Sequence, residues 1–316
     1  MCQRLLIVAI QSLNFSDPDF QAEVEWTITQ RCNYSCSYCA SYDNTQPFKF
    51  KTLDEYLDAL TYLKTYFGNS KVKMDILGGE PTLFKEWVVL MNWMNIAGYV
   101  PKLTTNLSVP VKSYINELDD ELPPFIVASF HPEFADLDKF CYNAEQLKEK
   151  GFLKNISLLG DPNNWEKTIA VFDVLKQIAP HMTLTKIKNE HTVGYNISND
   201  FIDYNEEQLR YFEKNKTTDD RYTLVLNNGE TLHPSLSEIR YKYSNFKGLK
   251  CEVGQYRLHI DSEGDVYPSA CLTNYPRSKM GNIFRENIVR PKTAITCPFN
   301  DCLCGPDIRI KKWAQV

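Results

Sequence analysis

The stretch Gln-Arg-Cys-Asn-Tyr-Ser-Cys-Ser-Tyr-Cys-Ala-Ser-Tyr, residues 30–42, is the most informative part of this chain. It places Cys32, Cys36 and Cys39 in a Cys-x3-Cys-x2-Cys spacing, with Tyr38 directly before the last thiol. Three thiolates this close together can hold a [4Fe–4S] cube and leave one iron free for a further ligand. Structural zinc usually has four ligands, and a disulfide would leave one of the three cysteines unpaired. The spacing therefore favours an iron–sulfur site, with zinc and disulfides as the alternatives.

The overall composition excludes several classes of protein. The chain has 316 residues, 43% of them hydrophobic, which is enough for one large domain and a smaller one. A net charge of −5 provides no basic field for nucleic acid or an anionic membrane. The longest apolar run near the N-terminus, residues 5–10, is too short for a signal peptide or a membrane span. We therefore expect a cytoplasmic protein.

Eight of the ten cysteines form two groups. Besides the three in the cysteine loop, five lie towards the C-terminus: Cys251, Cys271, Cys297, Cys302 and Cys304. In a reducing compartment such groups indicate metal sites rather than disulfides. We therefore predict two metal sites, one towards each end of the chain. Of the other two cysteines, Cys141 is predicted to be buried on the apolar face of a helix, and Cys2 to be inert.

Short apolar strands alternate with helical patterns between residues 24 and 187. This rhythm indicates βαβ units and a parallel sheet, and about six repeats favour an open, partial (β/α)6 TIM-like barrel. Helices are predicted over residues 53–67, 83–97, 111–118, 136–150, 165–178 and 206–214. Chemistry collects at the C-terminal ends of barrel strands. We therefore expect the cysteine loop, Glu80, Asn106, His131 and Asp161 to surround one mouth.

Four segments are predicted along the chain. Residues 1–22 form an N-terminal strand and loop, 23–190 the barrel, 191–250 a linker or insertion, and 251–316 a small C-terminal unit. That last unit contains a hairpin signal at Ser262-Glu263-Gly264.

The second barrel strand ends in Gly78-Gly79-Glu80-Pro81. Two glycines would let a ligand touch the backbone, and the Glu80 carboxylate can accept a hydrogen bond from an ammonium group. The alternative interpretation is a plain turn from strand to helix.

The cysteine loop followed by this Gly-Gly-Glu-Pro turn resembles the radical S-adenosylmethionine (SAM) superfamily. The resemblance implies that Cys32, Cys36 and Cys39 hold a [4Fe–4S] cluster and that Tyr38 packs near the adenine of SAM. It assigns the remaining contacts with SAM or substrate to Gly78, Gly79, Glu80, Thr105, Asn106, Ser129 and His131. An Asn at a strand end is also an ordinary turn residue, and a single His is often structural.

The same resemblance implies a reaction. A reduced cluster donates an electron to SAM, which yields methionine and a 5′-deoxyadenosyl radical that abstracts a substrate hydrogen. The implied substrate is a small molecule or short peptide that is oxidised or epimerised, and the electron donor is a flavodoxin or ferredoxin. The alternatives are a peptide- or protein-modifying maturase and a non-catalytic iron–sulfur or zinc protein.

The C-terminal cysteines resemble the SPASM or shorter twitch extension of this superfamily, with a Gly281-Asn282-Ile283 turn. The resemblance implies one auxiliary [4Fe–4S] cluster, because the ending Cys-x4-Cys-x-Cys is too short for two. The gap between Gly264 and Cys271 is longer than usual, and a zinc knuckle is the alternative. The C-terminal group contains five cysteines, one more than the four ligands that a single cube needs. Cys251 and Cys271 flank the hairpin and are assigned as ligands, Cys297 and Cys302 rank ahead of Cys304, and the spare thiol is structural or a hydrogen-atom donor.

Overall fold

The computed structural model describes residues 9–39, 48–121, 124–187, 202–216 and 221–315. Cys2 lies outside these ranges, as does most of the apolar run at residues 5–10. The strands are β1 (Ile10–Phe15), β2 (Ala22–Thr29), β3 (Val72–Gly78), β4 (Val100–Thr105), β5 (Phe125–Phe130), β6 (Leu153–Gly160), β7 (Met182–Lys186), β8 (Tyr222–Leu226), β9 (Thr231–Leu232), β10 (Lys250–Cys251), β11 (Arg257–Ile260), β12 (Asp265–Tyr267), β13 (Gly281–Asn282), β14 (Ile295–Thr296) and β15 (Lys312–Trp313). The helices are α1 (Leu53–Phe67), α2 (Trp87–Ile96), α3 (Leu137–Glu149), α4 (Trp165–Ile178), α5 (Glu206–Lys214), α6 (Leu236–Lys242) and α7 (Gly305–Ile308).

The larger sheet has the strand order β13-β12-β11-β2-β3-β4-β5-β6-β7. Strands β2 to β7 are all parallel, which confirms the predicted mixed α/β fold with a parallel sheet. The C-terminal hairpin extends this sheet, because β11 pairs parallel with β2. Among the described residues, β13 and β7 are its two edges, so no closed barrel is seen.

Successive side chains of β2 point to opposite sides of the large sheet, and this alternation gives the sheet one apolar face and one charged face. Val24 and Trp26 belong to the apolar core, which includes Leu60 on α1. The intervening residues, Glu23 and Glu25, face the other side and are buried in ion pairs. Helix α1 begins at Leu53. Thr52 is its N-cap residue and forms a capping box with Glu55. The concave face of the sheet is therefore charged at its centre.

Two predicted helices differ from the observed ones. The predicted helix over 83–97 begins only at Trp87, because Pro81–Leu83 forms a separate 3-10 turn. The predicted helix over 111–118 is wrong, since only Val111–Ser113 forms a 3-10 turn. The helix-like spacing there arises because Tyr114, Ile115 and Leu118 are buried in irregular backbone.

The smaller sheet has the order β14-β10-β15-β1-β8-β9. Its strands come from residues 1–22, 191–250 and 251–316, three of the four predicted segments. Leu13 on β1 lies opposite Leu224 on β8, and both are fully buried. The division into four segments stays a prediction, although this sheet crosses its boundaries. None of the helices in the described ranges is both long and apolar enough to span a membrane.

Candidate functional site

The cysteine loop leaves the C-terminal end of β2. The Tyr34 backbone N–H donates to Cys32 Sγ at 3.3 Å, and the Cys39 N–H donates to the Cys36 carbonyl at 3.1 Å. Cys36 is buried, whereas Cys32 and Cys39 are half-buried. Burial, assisted by the charges of the other two thiols, raises the pKa of Cys36 to about 12. The three thiols are therefore close enough to influence one another.

The Gly-Gly-Glu-Pro turn is joined to the start of this loop through the backbone. The Gly79 N–H donates to the Thr29 carbonyl and the Glu80 N–H to the Arg31 carbonyl, both at 2.8 Å. A Cβ at Gly78 would lie 2.2 Å from Thr29 O, and one at Gly79 would lie 2.1 Å from Arg31 O. The missing side chains at Gly78 and Gly79 therefore let this turn approach the start of the cysteine loop, and the ligand contact predicted for the two glycines stays a prediction.

Glu80 is fully buried, and its carboxylate accepts four hydrogen bonds. Oε1 accepts from the Thr82 N–H, the Thr82 hydroxyl and the Thr105 hydroxyl, and Oε2 accepts from the Asn106 N–H at 2.7 Å. Oε1 therefore shares three donors, whereas Oε2 has one and keeps a lone-pair site for a further donor. Burial raises the pKa of Glu80, while these hydrogen bonds oppose the rise. In this structure Glu80 ties the end of β3 to the end of β4.

Asn106 connects β4 to the cysteine loop. Its side-chain amide donates to Asn33 Oδ1 at 2.8 Å and lies 3.8 Å from Cys32 Sγ. Its own Oδ1 accepts from the Ser108 N–H at 3.0 Å. Asn106 therefore has both the turn role that the sequence left open and a direct contact with a candidate metal ligand.

The turn after β5 holds the other side of the loop. The Tyr38 ring stacks on the His131 ring at 6.1 Å, and its hydroxyl lies 3.3 Å from His131 Nδ1. The Ser37 backbone N–H donates to Glu133 Oε2 at 2.8 Å, and the Ser37 hydroxyl also contacts Glu133. Burial lowers the pKa of His131, which favours its neutral form. Ser129 lies on β5, half-buried, opposite Ser157 of β6.

Sequence reasoning missed Glu133 and Asn33 as residues that hold the cysteine loop. Glu133 lies two residues after His131 in a turn at a strand end, which is the signal that could have indicated it. Asn33 lies inside the loop itself and carried no separate signal. Asp161, at the end of β6, caps the 3-10 turn Pro162–Asn164 by accepting from the Asn163 N–H.

A second group of thiols surrounds a small cavity. Four cysteines line it, Cys251, Cys271, Cys297 and Cys302, together with Ser269, Asp307 and Lys312. The Ser269 hydroxyl lies 3.1 Å from Cys271 Sγ. We call this space the four-cysteine cavity. The structure therefore brings together four of the five predicted C-terminal ligands.

The fifth cysteine, Cys304, is not among the residues that line this cavity. It is the N-cap residue of α7, and the carboxylates of Asp307 and Glu25 and the Arg257 guanidinium lie close enough to affect it. Burial and the two carboxylates raise the pKa of the Cys304 thiol, while Arg257 opposes them. Cys304 thus lies beside the buried charges of the concave sheet face.

Buried charges surround the four-cysteine cavity. Lys312 is 1% exposed, and its Nζ donates to the carbonyls of Asp307, Ile308 and Ile310. Its positive charge lowers the pKa of Cys251, Cys297 and Cys302, against the larger effect of burial. Because metals bind thiolates rather than thiols, this ammonium favours metal binding.

Asp307 and Arg257 link this cavity to the barrel. Arg257 Nε donates to Asp307 Oδ1 at 3.0 Å, and Arg257 Nη2 lies 3.1 Å from Glu25 Oε2 on β2. Asp307 Oδ2 is buried and has no hydrogen-bond partner among the described residues. A chain of charges therefore runs from the cavity to the concave face of the sheet.

The two sets of thiols suit different metal groups. Within the described ranges, no three Cys, His, Asp or Glu side chains converge as ligands of a single ion. The ligands of a [4Fe–4S] cube each bind a different iron, so they need not converge on one point. The four-cysteine cavity measures about 20 Å³, which is room for about one water. Three thiols in the loop suit an open cube, whereas four C-terminal thiols suit either a cube or tetrahedral zinc, with movement of the thiols.

The two cysteine sites lie at opposite ends of the large sheet. The cysteine loop follows the C-terminal end of β2. Cys251 precedes β11, which runs parallel to β2, and Cys271 follows β12, which is antiparallel to β11. Both of these cysteines therefore lie towards the N-terminal ends of the parallel strands. A strand of eight residues spans about 25 Å, so the two sites are separated by roughly that length.

Comparison with known proteins links the first site to a family. Residues 26–131 match the family model described as the Radical SAM superfamily. A curated relative, the S-adenosylmethionine-dependent nucleotide dehydratase of Selenomonas ruminantium, is 28% identical over 109 residues. That alignment covers 34% of this chain and 36% of the relative, so about a third of each protein is matched.

Solved structures share the fold over a longer range. Native anSMEcpe with bound AdoMet aligns with a TM-score of 0.52 and 18% identity, covering 83% of this chain and 78% of the other. Streptococcus suis SuiB bound to S-adenosylmethionine aligns with a TM-score of 0.56 and 17% identity, covering 84% of this chain and 64% of the other. Such identities show a common fold. Together with the family match, they support a radical SAM domain, which implies a [4Fe–4S] cluster and SAM.

Proposed function

We propose that this chain is a radical SAM enzyme, with its [4Fe–4S] cluster held by Cys32, Cys36 and Cys39. The observation that carries the proposal is the hydrogen-bonded unit formed by the cysteine loop, the Gly-Gly-Glu-Pro turn and Asn106. This unit lies at the C-terminal ends of parallel strands, within the residues that match the family model. When bound, the cluster and SAM would supply an electron and a 5′-deoxyadenosyl radical for hydrogen abstraction.

The surrounding residues would bind and orient the cofactor. Tyr38 and His131 form a stacked pair beside the thiols and offer an aromatic surface to the adenine. Glu80 holds the end of β3 to the end of β4 by accepting hydrogen bonds from Thr105 and Asn106. Because its four donors join the end of β3 to the end of β4, we assign Glu80 a positioning role. Contact of Oε2 with the SAM ammonium is the alternative, since that oxygen accepts only one of the four bonds. Gly78 and Gly79 would also position the loop, because without side chains their backbone can lie close to that of Thr29 and Arg31.

We further propose that Cys251, Cys271, Cys297 and Cys302 bind an auxiliary [4Fe–4S] cluster, with Cys304 as the spare thiol. The lining of the four-cysteine cavity and the buried Lys312 support this ligand set. The small size of the cavity favours a second candidate, a single tetrahedral zinc held by the same four thiols. The ratio of iron to zinc in purified protein distinguishes the two.

The proposed reaction is oxidation or epimerisation of a small molecule or short peptide, with a flavodoxin or ferredoxin as electron donor. Polar side chains on the concave face support a polar substrate. Thr104, Ser129 and Ser157 are half-buried there, and Lys102 forms an ion pair with Asp75. The alternatives are a peptide- or protein-modifying maturase, whose substrate would be larger, and a non-catalytic iron–sulfur protein.

One experiment tests the central proposal. Anaerobically reconstituted protein, treated with dithionite and SAM, is expected to release 5′-deoxyadenosine and methionine and to contain about eight irons per chain. Protein that binds iron but releases no 5′-deoxyadenosine would support the non-catalytic alternative. About four irons with stoichiometric zinc would restrict iron to the cysteine loop.

A further inference from the structure

A groove lies directly outside the four-cysteine cavity. Its volume is about 430 Å³, and Leu272, Ile295 and Pro298 line both the groove and the cavity. A single layer of residues thus separates the groove from the thiols. The groove contains no cysteine or histidine, so its own side chains do not suggest a chemical step.

The groove combines exposed apolar side chains with basic ones. Val289 is 73% exposed and Tyr275 is 45% exposed, and both line it. Two of its lining residues are basic, Arg277 and Lys279, and none is acidic, although the whole chain has a net charge of −5. Protein interfaces commonly combine an apolar centre that contains aromatic residues with a polar rim. The groove therefore has the composition of a binding surface for an acidic partner.

Two exposed cations at this groove are available to such a partner, and we call them the rim cations. Arg277 lines the groove, and Lys292 directly follows Pro291, which also lines it. Both are exposed, and neither forms an ion pair within the ranges that the structure describes. Lys279, in contrast, is held by Asp265, and Arg290 donates to the carbonyls of Tyr66 and Gln255. Free charges at an interface rim increase the rate of encounter with an oppositely charged protein.

We propose that this groove is the docking surface for an acidic one-electron carrier protein. The inference rests on the proposed auxiliary cluster. The carrier would lose one electron, and the iron–sulfur group bound by the four cysteines would gain it. The groove favours a carrier over a substrate because it lies at the end of the sheet opposite to the cysteine loop, about one strand length away. A carrier bound there leaves the SAM site open.

Charge reversal on the rim tests the proposal. The double variant Arg277→Glu/Lys292→Glu and the control Lys139→Glu/Lys167→Glu change the net charge equally. The control residues are exposed on α3 and α4 of the barrel. Anaerobic titration calorimetry with an acidic flavodoxin is expected to show binding at least about tenfold weaker for the rim variant and within about twofold for the control. The difference should shrink at high salt, because rim charges are screened.

A second measurement separates docking from catalysis. Photoreduced flavodoxin, at concentrations below saturation, should reduce the rim variant more slowly than the control, as followed by cluster absorbance. SAM cleavage driven by dithionite, which needs no docking surface, should be unchanged in both. Equal binding by both variants, or weaker binding with unchanged reduction by flavodoxin, would overturn the groove assignment. Failure of the wild type to cleave SAM with dithionite would instead count against the proposed function.

Discussion

The two cysteine sites differ in how they are built. The cysteine loop takes its three thiols from eight consecutive residues, with Cys36 buried and Cys32 and Cys39 half-buried. The four-cysteine cavity takes its thiols from positions between 251 and 302, two of them buried and two half-buried, and adds a buried lysine. The exposure of the thiols is therefore similar at the two sites, and the number of ligands differs. Three thiolates leave one iron of a cube open for a second molecule, whereas four thiolates occupy every iron. The difference teaches that ligand number, more than accessibility, distinguishes the proposed roles.

The largest expected effect comes from removing one thiol at each site. Cys36→Ala should abolish SAM cleavage, because three thiolates are the fewest that hold a cube with an open iron. Cys271→Ala should lose the metal of the four-cysteine cavity and keep SAM cleavage with dithionite. Each variant should retain about four irons per chain. Iron is counted in the same samples in which chromatography measures 5′-deoxyadenosine. Release of 5′-deoxyadenosine by Cys36→Ala would remove the distinction between the sites.

A smaller effect is expected within the C-terminal group. Cys302→Ala should lose about four irons, because Cys302 lines the cavity, whereas Cys304→Ala should keep about eight. Iron counting on the two variants, made side by side, checks this difference. If both lose the auxiliary metal equally, Cys304 is a ligand and no thiol is spare.

The smallest expected effect concerns Glu80. Glu80→Gln places an amide where the Oε2 oxygen accepts from the Asn106 N–H, so the protein should be destabilised by about 1.5–3 kcal/mol, its melting temperature should decrease, and the loosened site should bind SAM more weakly. Glu86→Gln, at an exposed helix start with no side-chain hydrogen bond, is the matched control. Titration with SAM and thermal denaturation provide both measurements. Weaker SAM binding at an unchanged melting temperature would indicate direct contact with SAM and contradict the positioning role.

Much of the large sheet was predictable from the sequence. Regular alternation of apolar strands and helices located β2 to β7, and the Thr52 capping box located the start of α1. The smaller sheet was not predictable, because most of its strands have two residues and their partners are distant in sequence. Two residues are too few to show the alternation of apolar and polar side chains that identifies a strand.

The candidate sites were predictable in part for similar reasons. Residue spacing indicated the cysteine loop, and the alternation of side chains in extended backbone separated Cys302 from Cys304. The hydrogen bonds that join Glu80 to Thr105 and Asn106 could not be foreseen, because these donors lie at the end of a different strand. The hydrogen bond from the Ser37 N–H to Glu133 could not be foreseen either, because the two residues are 96 positions apart in the sequence.

The pairing of β1 with β15 has a consequence for the order in which the protein folds. Leu13 lies opposite Lys312, about 300 residues away, and closing so long a loop has a large entropic cost. Once β11 has paired with β2 through Leu258 and Val24, the chain that remains to be closed is about 65 residues. Closure is then easier by about 1.3 kcal/mol. The smaller sheet therefore forms most readily on a large sheet that already exists, and the four-cysteine cavity, which lies beside both, is completed late.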